Sequence, residues 1–469
     1  MLSVSFYTLG CKLNQLETES LAAAFREAGF SVRHGTLEPL SKAVPDLVII
    51  NTCTVTSRAE QKARRLIRLC LRRGSVVIVT GCYTEITAQA GLDQTAALFV
   101  VPGPAKDSLL DLPRLLAETI DVSKITDAAF RMTDAAFRMT NVILKVCSRT
   151  NAIPQPFRFE PETVFHSRPF LKIQDGCDRR CAYCRIPLAR GKSISLEAPE
   201  LIRRLTALEA AGKAEAVITG VNICQYRESG GGLAELLSVL LENTSRISLR
   251  LSSLEPEPGL FTEAFFKVLS HKRIRNHFHL SVQSGSDTIL TAMSRPYTRA
   301  DILGLVEKLR EIKDDPFLGC DIITGFPGES EKDFEKTLSL CAAADFAWIH
   351  GFPYSRRPGT SAAVMKGQVN QRIAGKRLTL LTGIASLGKK AYIRRWLGKT
   401  VEAAAIDNDE ADPRQGPENF PRFFPLLTDN YIRVLAASEE RLLSGSAYRC
   451  ILTEEAEGQD YEILGKVVK

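Results

Sequence analysis

GCDRRCAYC, running from Gly176 to Cys184, carries three cysteines, Cys177, Cys181 and Cys184, spaced C-x3-C-x2-C. It follows FLKIQ, an apolar run starting at Phe170 that reads as a strand. In sheets built of parallel strands and helices, ligands sit at the carboxyl ends of the strands. The trio therefore lies where a site belongs. A structural zinc site takes four ligands, commonly two C-x2-C pairs well apart, and the next cysteine here is Cys224. A disulfide leaves one thiol over. A four-iron cube on three protein thiolates leaves one iron open for a small ligand. Zinc, or cysteines with no shared role, stay as the alternatives.

The rest of the chain bounds the answer. At 469 residues it is too long for one core, and two to four domains are expected. Hydrophobic residues at 45% and charged residues at 25% are those of a soluble globular protein. The opening MLSVSFYTLGCK lacks the basic and apolar regions of a secretory signal. No apolar run approaches the roughly 20 residues of a membrane helix. The twelve cysteines are then expected in a reducing cytosol, as thiols or metal ligands. Charge is uneven: residues 401–469 hold 7 Lys+Arg against 14 Asp+Glu, so the +7 of the whole chain leaves +14 on the first 400 residues. A basic body suits a polyanionic partner.

The expected fold class is α/β in three parts. Residues 1–120 read as an α/β domain: SVSFYTL, DLVIINTC and SVVIVTGC are strands, and LNQLETESLAAAFREAG is a helix closed by Gly29. SRAEQKARRLIRLCLRRG is a second helix, with Arg58, Lys62, Arg65, Arg68 and Arg72 on one face and Ala59, Ala63, Leu66 and Cys70 on another. That basic stripe is either a solvated face or an RNA contact. Residues 121–165 read as a linker in which TDAAFRM occurs twice in tandem, Thr126–Met132 and Thr133–Met139. Residues 166–390 alternate six strands (FLKIQ, EAVITGV, ISLRLSS, HFHLSV, FLGCDIITG, FAWIHGFPY) with helices, the pattern of a parallel sheet or partial β/α barrel. Residues 397–469 break into GKTVEAAAI, NYIRVLAAS, YRCILTEE and YEILGKVV around an acidic, proline-bearing loop, the pattern of a small β-barrel.

The C-x3-C-x2-C spacing, with Tyr183 before its last cysteine, resembles the radical S-adenosylmethionine superfamily. The stretch from Gly319 to Glu329 resembles that superfamily's fifth-strand motif, in which Gly325 and Gly328 let backbone approach an adenine. Ser281, Gln283 and Ser284 end the fourth strand and either bind the cofactor or form a polar turn with Ser286 or Asp287 as helix cap. A second trio, Cys11, Cys53 and Cys82, is scattered in sequence, yet each follows an apolar strand. Strands of one parallel sheet deliver their ends to one edge, where these thiols converge or are merely buried. In this order nearly the whole chain resembles the methylthiotransferases, with an N-terminal cluster domain, a radical S-adenosylmethionine core and a C-terminal TRAM barrel.

The resemblance implies two 4Fe–4S clusters, on Cys177, Cys181 and Cys184 and on Cys11, Cys53 and Cys82, with S-adenosylmethionine as cofactor. It implies Tyr183, Ser281, Gln283, Gly325 and Gly328 as cofactor-binding positions. TLGCKLNQLETE with Lys12 and Leu13 after the cysteine, SSLEPE and FPYSRRPGT are most similar to bacterial enzymes that methylthiolate N6-threonylcarbamoyladenosine beside the tRNA anticodon. The isopentenyladenosine and ribosomal-aspartate branches are the near alternatives, and a non-catalytic iron–sulfur RNA-binding sensor is the distant one. The implied partners are tRNA, an electron donor of flavodoxin or ferredoxin type and a sulfur donor, with no membrane. Arg65, Arg68 and Arg72 are expected on RNA phosphates, and Arg356 and Arg357 on the substrate's carboxylate. No side-chain acid or base is expected. Cys224, where the family usually keeps glycine, reads as a small packed residue.

Overall fold

The computed structural model describes residues 2–35, 45–86, 97–119, 134–147, 155–406, 422–456 and 461–468. The first TDAAFRM copy and most of the acidic loop of the tail lie outside them; helix Asp134–Cys147 carries most of the second copy. The chain divides into two compact units. One holds Met1–Phe165, Asp175–Arg179 and Cys184–Ile194; the other holds His166–Gln174, Arg180–Tyr183 and Ser195–Lys469.

In the first unit, strands β1 (Ser3–Thr8), β2 (Ser31–His34), β3 (Leu47–Thr52), β4 (Val76–Gly81) and β5 (Leu98–Val100) make one sheet in the order β2-β1-β3-β4-β5. Every pairing is parallel. All six residues of β3 are buried, as expected where helices cover both faces of a sheet. The apolar runs of β1, β3 and β4 mark these strands in sequence. The short β2 and β5 carry no comparable signal and emerge only from pairing. Helix α1 (Lys12–Glu27) buries Leu13, Leu16, Leu21 and Phe25. Helix α2 (Ser57–Arg72) is capped by the Thr56 side chain, which accepts from the Ala59 N–H, and buries Ala63, Leu66, Ile67 and Cys70. The chain winds away in opposite senses from β1 and β3, so the topological switch falls between their carboxyl ends.

In the second unit, six parallel strands form two three-stranded sheets. β6 (Phe170–Lys172), β7 (Glu215–Thr219) and β8 (Ser248–Leu251) pair in that order; so do β9 (His277–Gln283), β10 (Phe317–Thr324) and β11 (Trp348–Pro353). Two isolated parallel bridges, Leu249↔Ile274 and Leu254↔Leu280, link the stretches that carry β8 and β9. This is an incomplete β/α barrel, whose outward residues such as Ala216, Ile218, Leu249, Leu280 and Ile322 pack with the helices in one core.

Five more strands, β12 (Thr400–Ala405), β13 (Arg422–Thr428), β14 (Arg433–Ser438), β15 (Ala447–Glu455) and β16 (Ile463–Val468), close a small barrel in the order β12-β13-β14-β16-β15. β13 is absent from the strands expected on sequence. Its RFFP opening reads as loop because Pro425 lacks a ladder donor. Pro425 is nevertheless tolerated: it pairs with Leu435 and its carbonyl accepts from the Ile406 N–H.

Buried charge holds this barrel to the β/α strands of its unit. Glu215, on β7, takes Arg250 Nη2 at 2.8 Å, Arg275 Nε at 3.0 Å and Arg168 Nη1 at 3.2 Å. Arg250 donates onward to the carbonyls of Thr428 and Asp429, and Arg275 reaches Glu402.

Candidate functional site

The three strands that carry Cys11, Cys53 and Cys82 are neighbours, β1, β3 and β4, and each cysteine follows its strand's carboxyl end. Cys11 takes the cap position before α1 without a side-chain capping bond and is exposed; Cys53 and Cys82 are buried. Two glycines permit the approach. Gly10 has φ +115° and a Cβ there would stand 2.7 Å from Cys53 Cβ. Gly81 has φ +102° and a Cβ there would stand 2.3 Å from the Thr52 carbonyl oxygen. Burial pushes the Cys53 thiol up to about 12, and the charges of Cys11 and Cys82 add to the effect. Thiolates held close together repel one another unless positive charge comes among them, which is what a bound metal supplies. Among the described residues, no group of His, Cys, Asp or Glu is drawn in like the shell of a single ion. Three cysteine thiols brought to one sheet edge are the type of donor set that a four-iron cube takes from a protein.

Arg190 reaches this trio. It ends helix Ile186–Arg190 and donates from Nε to Cys82 Sγ at 3.4 Å. Its Nη1 pairs with Glu17 and Asp175, each at 3.1 Å, and Nη2 donates to Asn14 Oδ1 at 3.0 Å. Glu17 also holds buried Lys106 at 2.5 Å and accepts from Asn51. A cavity of about 420 Å³ opens here, bordered by Cys82, Arg190, Glu17, Lys106 and Asp175.

Cys177, Cys181 and Cys184 lie on an irregular loop, all half-buried. Cys184 Sγ accepts from the Ile186 N–H at 3.4 Å. Cys181 Sγ accepts from Arg295 Nη1 at 3.1 Å. The Arg295 side chain is only 6% exposed; it pairs with Glu255 at 3.2 Å and donates to the Tyr297 hydroxyl at 2.6 Å and the Ser281 carbonyl at 3.2 Å. In sequence SSLEPE stands out as a motif, yet it gives Glu255 no role, and nothing local singles out Arg295. Only the meeting of two segments far apart in the chain reveals the pair.

Ser281 and Gln283 end β9, and Gln283 takes φ +68°, a left-handed backbone uncommon for a side-chain-bearing residue. Tyr183 packs against the buried group that includes Ala182, Met293, Phe326 and Tyr354. Ser284 and Ser286 are buried in a side-chain network: Ser286 Oγ donates to Asp333, and Gly285 N–H donates to Thr337. Ser286 takes the cap position before helix Asp287–Ala292 without a side-chain capping bond.

Gly325 has φ +73°, and its close neighbour is the Ala374 side chain, 2.5 Å from where a Cβ would stand. Its N–H donates to buried Glu329, which pairs with Arg377 at 2.5 Å. Gly328 has φ +86° with open space beside it, and its N–H donates to the Gly367 carbonyl. Cys224 is buried and its sulfur accepts from the Glu255 N–H.

The basic stripe lies where its spacing puts it: Arg58, Lys62, Arg65, Arg68 and Arg72 are all exposed on α2. Arg356 and Arg357 part company. Arg356 is exposed, with Nε donating to the Ala363 carbonyl, whereas Arg357 is 3% exposed. The pair RR does not distinguish the two, because the turn that follows β11 decides which side chain faces out.

Comparison with known proteins places this geometry. The Radical SAM superfamily model matches residues 171–341, and the model described as uncharacterized protein family UPF0004 matches residues 3–101. The threonylcarbamoyladenosine tRNA methylthiotransferase MtaB of Treponema pallidum is 40% identical, over 92% of this chain and 94% of that one. Its namesake in Bacillus subtilis is 32% identical, over 94% and 92%. Among solved structures, the radical S-adenosylmethionine methyltransferase TsrM of Kitasatospora setae shares the fold at TM-score 0.50 and 18% identity, over 78% of this chain and 75% of that one. With such identity sustained along almost the full length of both chains, the protein belongs to the radical S-adenosylmethionine methylthiotransferases, the family of the threonylcarbamoyladenosine tRNA enzymes.

Proposed function

We propose that the protein modifies tRNA, adding a methylthio group to C2 of N6-threonylcarbamoyladenosine beside the anticodon. It uses S-adenosylmethionine and two 4Fe–4S clusters. The observation that carries the reading is the convergence of Cys11, Cys53 and Cys82 at one sheet edge, a second thiol trio besides the C-x3-C-x2-C loop. In this reading Cys177, Cys181 and Cys184 hold the cluster that activates S-adenosylmethionine, and Cys11, Cys53 and Cys82 hold the other. When bound, these groups supply the radical, the sulfur and the methyl group.

The chain's own residues bind, orient and exclude water. Arg295, fixed by Glu255, steadies the Cys181 sulfur. Tyr183, Ser281, Gln283 and the Gly325–Gly328 turn flank the cofactor. The exposed arginines Arg65, Arg68 and Arg72 hold phosphates, and the target base is splayed from its loop, the usual mode of RNA recognition. The threonylcarbamoyl carboxylate needs a cation when taken from water, and exposed Arg356 is the candidate. Arg357, being buried, is not offered for that role. Among the described residues no helix is long and apolar enough to cross a membrane. We place the enzyme in the cytosol, supplied by an external one-electron donor of flavodoxin or ferredoxin type and by a sulfur donor.

The test is anaerobically reconstituted protein given two tRNAs, one bearing threonylcarbamoyladenosine and one isopentenyladenosine, with nucleosides read by mass spectrometry. Methylthio product on the first alone is expected, and Arg356→Ala should lower that preference while 5′-deoxyadenosine still forms. Equal product on both tRNAs, or product on the second only, overturns the substrate assignment.

A further inference from the structure

We infer that Arg190 is a positioning residue for the N-terminal cluster: its Nε–H bonds to the Cys82 sulfur and raises that cluster's reduction potential. This rests on the assignment of Cys11, Cys53 and Cys82 as cluster ligands. Three features carry it. First, the contact is direct, with Nε 3.4 Å from Sγ. Second, the guanidinium cannot turn away. Glu17, Asp175 and Asn14 take its other two nitrogens, and the side chain is only 9% exposed. A planar fork with five donors satisfies acceptors fixed in different directions, which a single ammonium does not match. Third, formal charge around it is balanced. Arg190 and Lys106 face Glu17 and Asp175, so the directional N–H···S bond, rather than net charge, is what distinguishes Cys82.

Adding an electron to a thiolate-bound cluster increases negative charge on its sulfurs. A hydrogen bond to one of them therefore strengthens on reduction and favours the reduced form. Hydrogen bonds to sulfur and burial are among the terms that set such potentials, and partners of metal ligands commonly tune the metal in this way.

The experiment uses the full chain with Cys177, Cys181 and Cys184 changed to Ala, so that only the N-terminal cluster assembles. About four irons per chain should be found after anaerobic reconstitution; absence of iron there would overturn the ligand assignment itself. With iron present, protein grown on guanidino-15N arginine is reduced with dithionite and studied by pulsed EPR. A weak 15N coupling is expected, and it should vanish in Arg190→Lys. Redox titration of Arg190→Lys and Arg190→Gln should show about a tenfold lower ratio of reduced to oxidised cluster at fixed potential, about 59 mV for one electron. A cluster with four irons but no arginine nitrogen coupling overturns the inference, whatever the variants do. So does an unchanged potential in an iron-loaded variant.

Discussion

Single residues divide here into those that carry chemistry and those that let it assemble. Cys177, Cys181 and Cys184 are proposed to be of the first kind. Changing all three to Ala should leave about half of about eight irons and abolish 5′-deoxyadenosine formation; undiminished iron after reconstitution would remove them as ligands. Gly325 is of the second kind. Its left-handed backbone and its approach to Ala374 make Gly325→Ala costly, by about 1–2 kcal/mol for the backbone with crowding added. Ala374→Gly removes the crowding partner. Denaturant unfolding of the two single variants and the double should show losses smaller in combination than in sum. Strict additivity would mean that Ala374 is not what Gly325 avoids. The residue pattern is legible as a motif, but its neighbour is not, since Ala374 lies on a helix that no local spacing connects to it.

At the scale of elements, α2 does two jobs with two faces. Ala63, Leu66, Ile67 and Cys70 bury against the sheet while five cations stay in water. Period alone separates these faces in sequence, because an amphipathic helix writes its burial directly into its spacing. What the outer face meets is a separate question. Arg65, Arg68 and Arg72 changed together to Glu should leave the melting temperature nearly unmoved and weaken tRNA binding. The slope of log affinity against log salt should flatten by about 0.9 for each phosphate that is no longer neutralised. An unchanged slope in a folded variant would return the stripe to a solvated surface. Strand β13 shows the opposite case. Its proline and its place after a polar loop hide it, and only pairing with β12 and β14 makes it a strand.

For the molecule as a whole, the Glu215 hub decides how the closing barrel is kept on the β/α strands of its unit. Glu215→Gln leaves Arg250 and Arg275 buried without their carboxylate, a change expected to cost about 3–5 kcal/mol. Burial works to raise the Glu215 pKa, but Arg250, Arg275 and Arg168 prevail and hold it below the usual carboxylate range. A lowered folded pKa stabilises above the unfolded value of about 4.3 and is lost as pH falls below it. The stability gap between wild type and Glu215→Gln should therefore be full near neutrality and narrow below about pH 4.3. A gap that stays constant through acid would mean that the ionised carboxylate is not its source.

Cysteine spacing, strand–helix alternation and family membership are all written in the linear chain, because those signals are local: thiols within one loop, periods of two and 3.6, apolar runs ending in cysteine. Which strands are neighbours is not written there. That is settled by folding, and with it the meeting of Cys11, Cys53 and Cys82 around the β1–β3 switch. Folding likewise turns Arg190 and Arg295 each toward a cysteine sulfur, and it exposes one of two adjacent arginines while burying the other. Such pairings depend on chain segments far apart in sequence being held at hydrogen-bond distance, and no local pattern records that distance.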